Sequence, residues 1–335
     1  MQKRYWIILI LLLVLVVTYF SGPKPIDPVY TSKLPEIPSS NLKVLEDHIK
    51  KTEAQQALRE DNQASIKWQN QSPQVTEYSI IYLHGFAGSY RDAYPVNINI
   101  ADSLNANIYL SRWAGHGLKP EVALKNFTPE TAWNSAKEAL VIGNRIGKKV
   151  IIMSTSTGGT LAIKLAAEYP DRVHALINLS PNTEDDQAGS FLLNSPWGYE
   201  IASLVSFGEH KIIEHEKEIA EKYWDTIYPS KALVDLQILV GSTMKPETFS
   251  RVSCPVLTLY YKENYFQKDN HVEVSTFPEV HEAFSTADSL KKLVALSTPE
   301  THFIGSDIKS KDIKSVEKEI MIFLKEDLGI TIPKS

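Results

Sequence analysis

Val150-Ile151-Ile152-Met153-Ser154-Thr155-Ser156-Thr157-Gly158-Gly159-Thr160-Leu161-Ala162-Ile163-Lys164-Leu165-Ala166-Ala167 is the stretch that decides the fold. Its opening run is apolar and mostly β-branched, the pattern of a strand buried on both faces. Its closing run has the composition of a helix. With strand feeding straight into helix, one residue is left on a turn so sharp that its flanks, two positions away on each side, must be small. Ser156 holds that place, between Ser154 and Gly158, so the chain reads S-x-S-x-G where the strict nucleophile-elbow pattern is G-x-S-x-G. Ser154 carries a Cβ, so its backbone is expected to keep a negative φ. The competing reading is a Ser/Thr-rich turn that caps an ordinary helix.

Working outward, the run Tyr78 to Leu83 reads as a buried strand that enters the loop His84-Gly85-Phe86-Ala87-Gly88-Ser89. Glycines at 85 and 88 let this backbone approach a substrate closely, and such a loop can aim an N–H at a developing oxyanion. Phe86 and Thr157 are the natural pair of amide donors. His84 alone carries little weight, because a histidine at a strand end also fills space.

These motifs together resemble the α/β-hydrolase superfamily, and within it the serine carboxylesterase and monoglyceride-lipase-like group. The resemblance runs from about Ala64 to Leu324 and includes Arg112-Trp113-Ala114-Gly115-His116-Gly117, similar to the P-G-H-G turn of those enzymes with Ala114 in place of proline. It implies a mostly parallel central sheet flanked by helices, with a helical cap insertion. It also implies a Ser, acid, His order along the chain. A serine nucleophile needs a base, because an unassisted hydroxyl is protonated at neutral pH. That order leaves His271, His281 and His302. His281 reads as part of a solvated helix face. His302 follows the strand Lys292 to Ser297 and a short polar turn, where the family places its catalytic histidine, and is the choice. The acid belongs in the loop after the strand Pro255 to Tyr261. The family's usual arrangement would put Asn264 at the aspartate position. Asp269, ahead of Asn270-His271-Val272, resembles the D-x-x-V element that carries the acid, with Glu263 as the alternative.

The resemblance thus implies a catalytic set of Ser156, Asp269 and His302, an oxyanion hole at Phe86 and Thr157, and support from His84, Gly85, Ser154 and Gly158. The expected chemistry is hydrolysis of a small-molecule carboxylic ester, hydrophobic or lipid-like, through an acyl-enzyme and without a cofactor. Thioester, amide or peptide, and C–C hydrolysis use the same constellation. Epoxide hydrolases and haloalkane dehalogenases carry Asp at the elbow and are disfavoured. A non-catalytic binding module on the same scaffold is the alternative from another class.

The rest of the chain sets the context. Net charge is −5, from 35 basic and 40 acidic residues, and nothing in it points to nucleic acid. No P-loop or dinucleotide fingerprint occurs. His210 and His215 lack the H-E-x-x-H spacing of a zinc site, and their segment reads as an exposed helix. The single cysteine, Cys254, excludes an intramolecular disulfide. Residues 1–25 hold Lys3-Arg4 and then an apolar run from Tyr5 to Phe20, which is read as an uncleaved membrane anchor with the catalytic domain outside, or as a secretory signal if cleaved. Residues 26–61 read as a linker with an amphipathic helix over Leu42 to Leu58, and 62–335 as the hydrolase domain. Ala64 to Gln69 starts the sheet as an edge strand. About seventy residues separate the strand ending at Leu179 from the one at Pro255, far more than an ordinary connection, and the cap is placed at about 182–250.

Overall fold

The computed structural model describes residues 2–37, 41–187 and 189–332. The chain forms α1 (Gln2–Phe20), α2 (Leu42–Ala54), β1 (Ser65–Lys67), β2 (Thr76–Leu83), α3 (Val96–Ser103), β3 (Asn107–Leu110), α4 (Pro129–Ile146), β4 (Gly147–Thr155), α5 (Thr157–Glu168) and β5 (Ala175–Leu179). It continues through α6 (Gly198–Val205), β6 (His210–Ile212), α7 (Glu218–Tyr223), β7 (Ile227–Pro229), α8 (Lys231–Thr243), α9 (Pro246–Phe249), β8 (Val256–Tyr261), α10 (Phe277–Ala283), β9 (Lys291–Leu296) and α11 (Ile313–Ile322).

Seven strands make one sheet in the order β1-β3-β2-β4-β5-β8-β9, parallel except for the antiparallel edge strand β1. This is the architecture expected from the sequence. The apolar runs are continuous because each inner strand is covered on both faces. Alternate residues serve alternate faces. Ile81, Leu83, Val150 and Ile152 pack into a core with α4, α5 and α8, whereas Ile80, Tyr82, Ile151 and Met153 pack into a second core with α3 and α11. Leu83 pairs with Ser154, Thr155 with Leu179, and Tyr261 with Leu296. The strands therefore end together, and the loops that follow them open along one edge of the sheet, where ligands bind in open α/β sheets.

Three expectations are corrected here. The segment at His210 is a strand, β6, paired antiparallel with β7, and not a helix. His281 is buried on α10 beside Phe284 and not on a solvated face. The membrane anchor, with its membrane partner and an extracytoplasmic catalytic domain, is also overturned. Among the described residues no helix is long and apolar enough to cross a membrane. The apolar stretch from Tyr5 to Phe20 rises about 24 Å as a helix, short of a hydrocarbon core about 30 Å thick. The Lys3 side chain, counted in the anchor reading, lies outside the described residues. The end of α1 turns into the body of the protein, where Trp197 Nε1 donates to the carbonyls of Thr18 (3.2 Å) and Tyr19 (3.1 Å) and Trp197 N donates to Pro23 O (2.8 Å). α2 buries Leu45, Ile49 and Glu53, and β1 lies at the sheet edge.

Candidate active site

Ser156 stands between β4 and α5 with φ 55° and ψ −124°, a backbone conformation that a residue with a side chain adopts only at a cost of about 1–3 kcal/mol. Three backbone bonds hold it there: Ser156 N donates to Leu179 O (3.1 Å), while its own carbonyl accepts from Gly159 N (2.7 Å) and Asn182 N (2.8 Å). Small flanks are required because α5 presses on the sheet. A Cβ at Gly158 would come 2.7 Å from both Leu83 C and His84 O, and one at Gly159 would come 2.8 Å from Pro181 Cα. Ser154 fits because it is the penultimate residue of β4, away from the positive-φ position, and its buried Oγ hydrogen-bonds Asn178 Oδ1 at 2.8 Å.

Across the sheet edge, the loop after β8 carries Asp269 and the loop after β9 carries His302. Both are buried, and His302 Nδ1 lies 2.6 Å from Asp269 Oδ2, where the ring N–H donates to the carboxylate. Burial alone would raise the Asp269 pKa, but the His302 imidazole and the His271 amide (2.9 Å to Oδ1) outweigh it and hold the carboxyl below its ordinary value. Glu263 is exposed, and its amide donates to Gln267 O within the loop. The structure thus brings Asp269, and not Glu263, to His302. Among the described residues no hydrogen bond joins Ser156 Oγ to His302. Such contacts are commonly long without substrate and tighten in the Michaelis complex.

The loop after β2 lies directly against Ser156. A Cβ on Gly85 would come 3.1 Å from Ser156 Cβ. The Phe86 amide has no partner among the described residues, and Thr157 opens α5, where first-turn amides lack intrahelical acceptors. His84 is a support of the loop. Its Nδ1–H donates to Gly85 O (2.8 Å), Nε2 accepts from Trp113 N (3.4 Å), and its ring stacks on Trp113 at 4.6 Å. Burial pushes its pKa down to about 4, so the ring is neutral.

Two residues near this centre were missed by reasoning on the sequence. His271, considered only as a base, stacks its exposed ring on His302 at 4.6 Å and 13°. Asp269, His271 and His302 bring one donor atom each within 4.8 Å of one another, but the Asp269–His302 bond already engages two of the three. Asp92 is fully buried under the loop after β2 and accepts from Gly85 N (2.5 Å) and Ser89 N (3.4 Å). Burial pushes its carboxyl up to about 7, against the pull of the two amides, the His302 imidazole and the Trp224 indole. Its signal was present as Ser89-Tyr90-Arg91-Asp92, a capping-box pattern that the structure forms.

The segment from Tyr223 to Tyr228 closes over these loops. Asp225 N donates to Ala87 O (2.7 Å), Tyr228 packs edge-on against Phe86 (5.4 Å), and Trp224 packs against Phe303 (5.3 Å), the neighbour of His302. Arg59 fastens the segment, donating to Trp224 O (2.7 Å) and Asp225 Oδ1 (2.8 Å). A cavity between α2 and β1, lined by Ile49, Leu58 and Ile66, shares no residue with this centre.

Residues 78–206 match the α/β hydrolase fold family. Protein bem46 of Schizosaccharomyces pombe is 28% identical over 112 residues, which are 32% of this chain and 36% of that protein, so the match spans little more than a third of that relative's length. Among solved structures, one reported for LipS and LipT, two metagenome-derived lipolytic enzymes, superposes with a TM-score of 0.64 at 15% identity, covering 80% of this chain and 99% of that chain. The Paleococcus ferrophilus monoacylglycerol lipase gives 0.55 at 13% identity over 79% and 98% of the two chains. A soluble variant of the Saccharomyces cerevisiae monoglyceride lipase gives 0.54 at 12% identity over 79% and 91%. At these identities the likeness is one of fold.

Proposed function

We propose that this chain, an α/β-hydrolase by its fold and by its match over residues 78–206, is a serine hydrolase that cleaves carboxylic esters through an acyl-enzyme on Ser156. The observation that carries the reading is the buried Asp269–His302 pair at the same sheet edge as a serine held at positive φ. In this reading His302 Nε2 takes the Ser156 proton as Oγ attacks the acyl carbon. Asp269 keeps Nδ1–H in place and stabilises the imidazolium that forms. The Phe86 and Thr157 amides receive the negative charge of the tetrahedral intermediate. His302 then gives the proton to the leaving alcohol, and water repeats the sequence to free the acid.

Hydrophobic esters are the proposed substrates. Phe86, Tyr228, Trp224 and Phe303 supply aromatic surface around the loops. The reading is tested by fluorophosphonate labelling together with hydrolysis of p-nitrophenyl esters of graded chain length. Wild-type protein should label and turn over, and Ser156→Ala should lose labelling and about 10⁶-fold in turnover. A folded Ser156→Ala protein that retains a tenth of the wild-type rate refutes the assignment. A folded wild type that neither labels nor hydrolyses points to a binding module.

A further inference from the structure

The residue that this mechanism leaves unused is Asp92. It sits at the end of the turn that follows the His84–Ser89 loop, and the loop is wound around its carboxylate. Gly85 N donates to Oδ2 at 2.5 Å, Ser89 N reaches Oδ1 at 3.4 Å, and the Ser89 side chain closes the capping box from the other side. Both loop glycines answer to the same group. A Cβ on Gly88 would lie 2.5 Å from Oδ1 and 2.6 Å from Oδ2, and one on Gly85 would lie 3.0 Å from Oδ2. The residues between them, Phe86 and Ala87, are therefore held at both ends by one carboxylate. Ala87 is further held with φ 56° and a bond from Asp225 N to its carbonyl.

A loop built this way has its peptide planes set before substrate arrives. A carboxylate has no role in the triad chemistry at this position, and a fully buried one is a costly packing residue unless its acceptors are used. We propose that Asp92 is the positioning residue of the oxyanion loop: by receiving the Gly85 and Ser89 amides it fixes the peptide that aims Phe86 N–H at the developing oxyanion beside Ser156. The inference rests on the serine-hydrolase reading above and adds to it the group that preorganises the hole. Preorganised donors cost nothing to reorient in the transition state, and a donor misplaced by about 1 Å loses about 10²-fold in rate.

The experiment compares wild type, Asp92→Asn and Gly88→Ala as full chains. Asp92→Asn keeps the shape but replaces one acceptor by an NH₂ group. Gly88→Ala leaves the carboxylate in the chain and displaces it with a methyl group. Each variant is expected to lower kcat about 10²-fold with KM within threefold. Each should weaken a boronic acid, which mimics the tetrahedral intermediate, by a similar factor, and leave binding of the corresponding carboxylic acid product within threefold. A role in packing alone would lower melting temperature or the folded fraction without splitting those two ligands. Folded Asp92→Asn with kcat and boronate affinity within threefold of wild type overturns the proposal while leaving Ser156 standing. If Asp92→Asn does not fold, Gly88→Ala decides it by the same readings. An inactive, unlabelled wild type refutes the parent reading instead.

Discussion

Replacing Gly158 by alanine is a severe test of the geometry at Ser156, because the obstruction is backbone. The added Cβ would lie closest to Leu83 O and 2.7 Å from both Leu83 C and His84 O. Ordinary carbon–carbon contact is about 3.5 Å, so the Leu83 C contact alone demands about 0.8 Å and the nearer Leu83 O demands more. β2 cannot yield it, since it is paired on one side with β3 and on the other with β4. The helix α5 must move outward and carry Ser156 and the Thr157 amide with it. A displacement of that size at the reacting atoms costs about 10²-fold in rate, and the overpacking costs about 1–3 kcal/mol in stability. Melting temperature should fall by about 2–5 °C for a domain of this size. The assay is a calorimetric melt together with the pre-steady-state release of p-nitrophenol, which isolates acylation. Gly241→Ala on α8 is the control, because its Cβ would meet only the Asn194 side-chain amide, at 2.9 Å. Gly158→Ala acylating within threefold of wild type, and melting with Gly241→Ala, would refute the argument that the glycine is required by the closeness of α5 to the end of β2.

Two further outcomes are expected. Asp269→Asn should lower kcat by about 10⁴-fold through the wrong imidazole tautomer, whereas Glu263→Gln should stay within threefold, and steady-state kinetics on a p-nitrophenyl ester showing the reverse ranking would move the acid to Glu263. His281 is buried, and burial with the nearby Lys291 charge pushes it down to about 4, below the 6.5 of an unfolded histidine. The unfolded chain therefore gains this proton first, and stability is lost as pH falls from about 6.5 toward 4, on the order of 2 kcal/mol by pH 5. Urea denaturation of wild type and His281→Leu at pH 7 and pH 5 should show the variant losing about 2 kcal/mol less over that interval. Equal losses would show that His281 is not held neutral.

What the sequence determines by itself here is what one continuous segment can enforce. The run from Val150 to Ala167 can only be a buried strand passing without a loop into a helix, so the position of Ser156 on the turn and the need for small flanks follow from local sterics. The same holds for the inner strands that lead to His84 and Asp269, whose apolar runs require a sheet covered on both faces, whereas the strand before His302 is a half-buried edge strand. Tertiary structure decided everything that depends on which segments meet. That Asp269, and not Glu263, meets His302 rests on a 2.6 Å contact between residues 33 apart, which no local pattern encodes. The capping-box pattern ending at Asp92 was legible, but not that its carboxylate would be buried against Gly85 and Gly88, because the same four residues cap exposed turns equally well. His281 carries a helical pattern that does not say which face α9 and Phe284 will cover. At the N-terminus the apolar composition of Tyr5 to Phe20 was plain, yet hydropathy does not measure length against a bilayer or show that the chain after α1 returns to Trp197. Local sterics and periodicity act within a few residues, whereas burial, charge pairing and the pKa values that depend on them are set by neighbours brought from far along the chain.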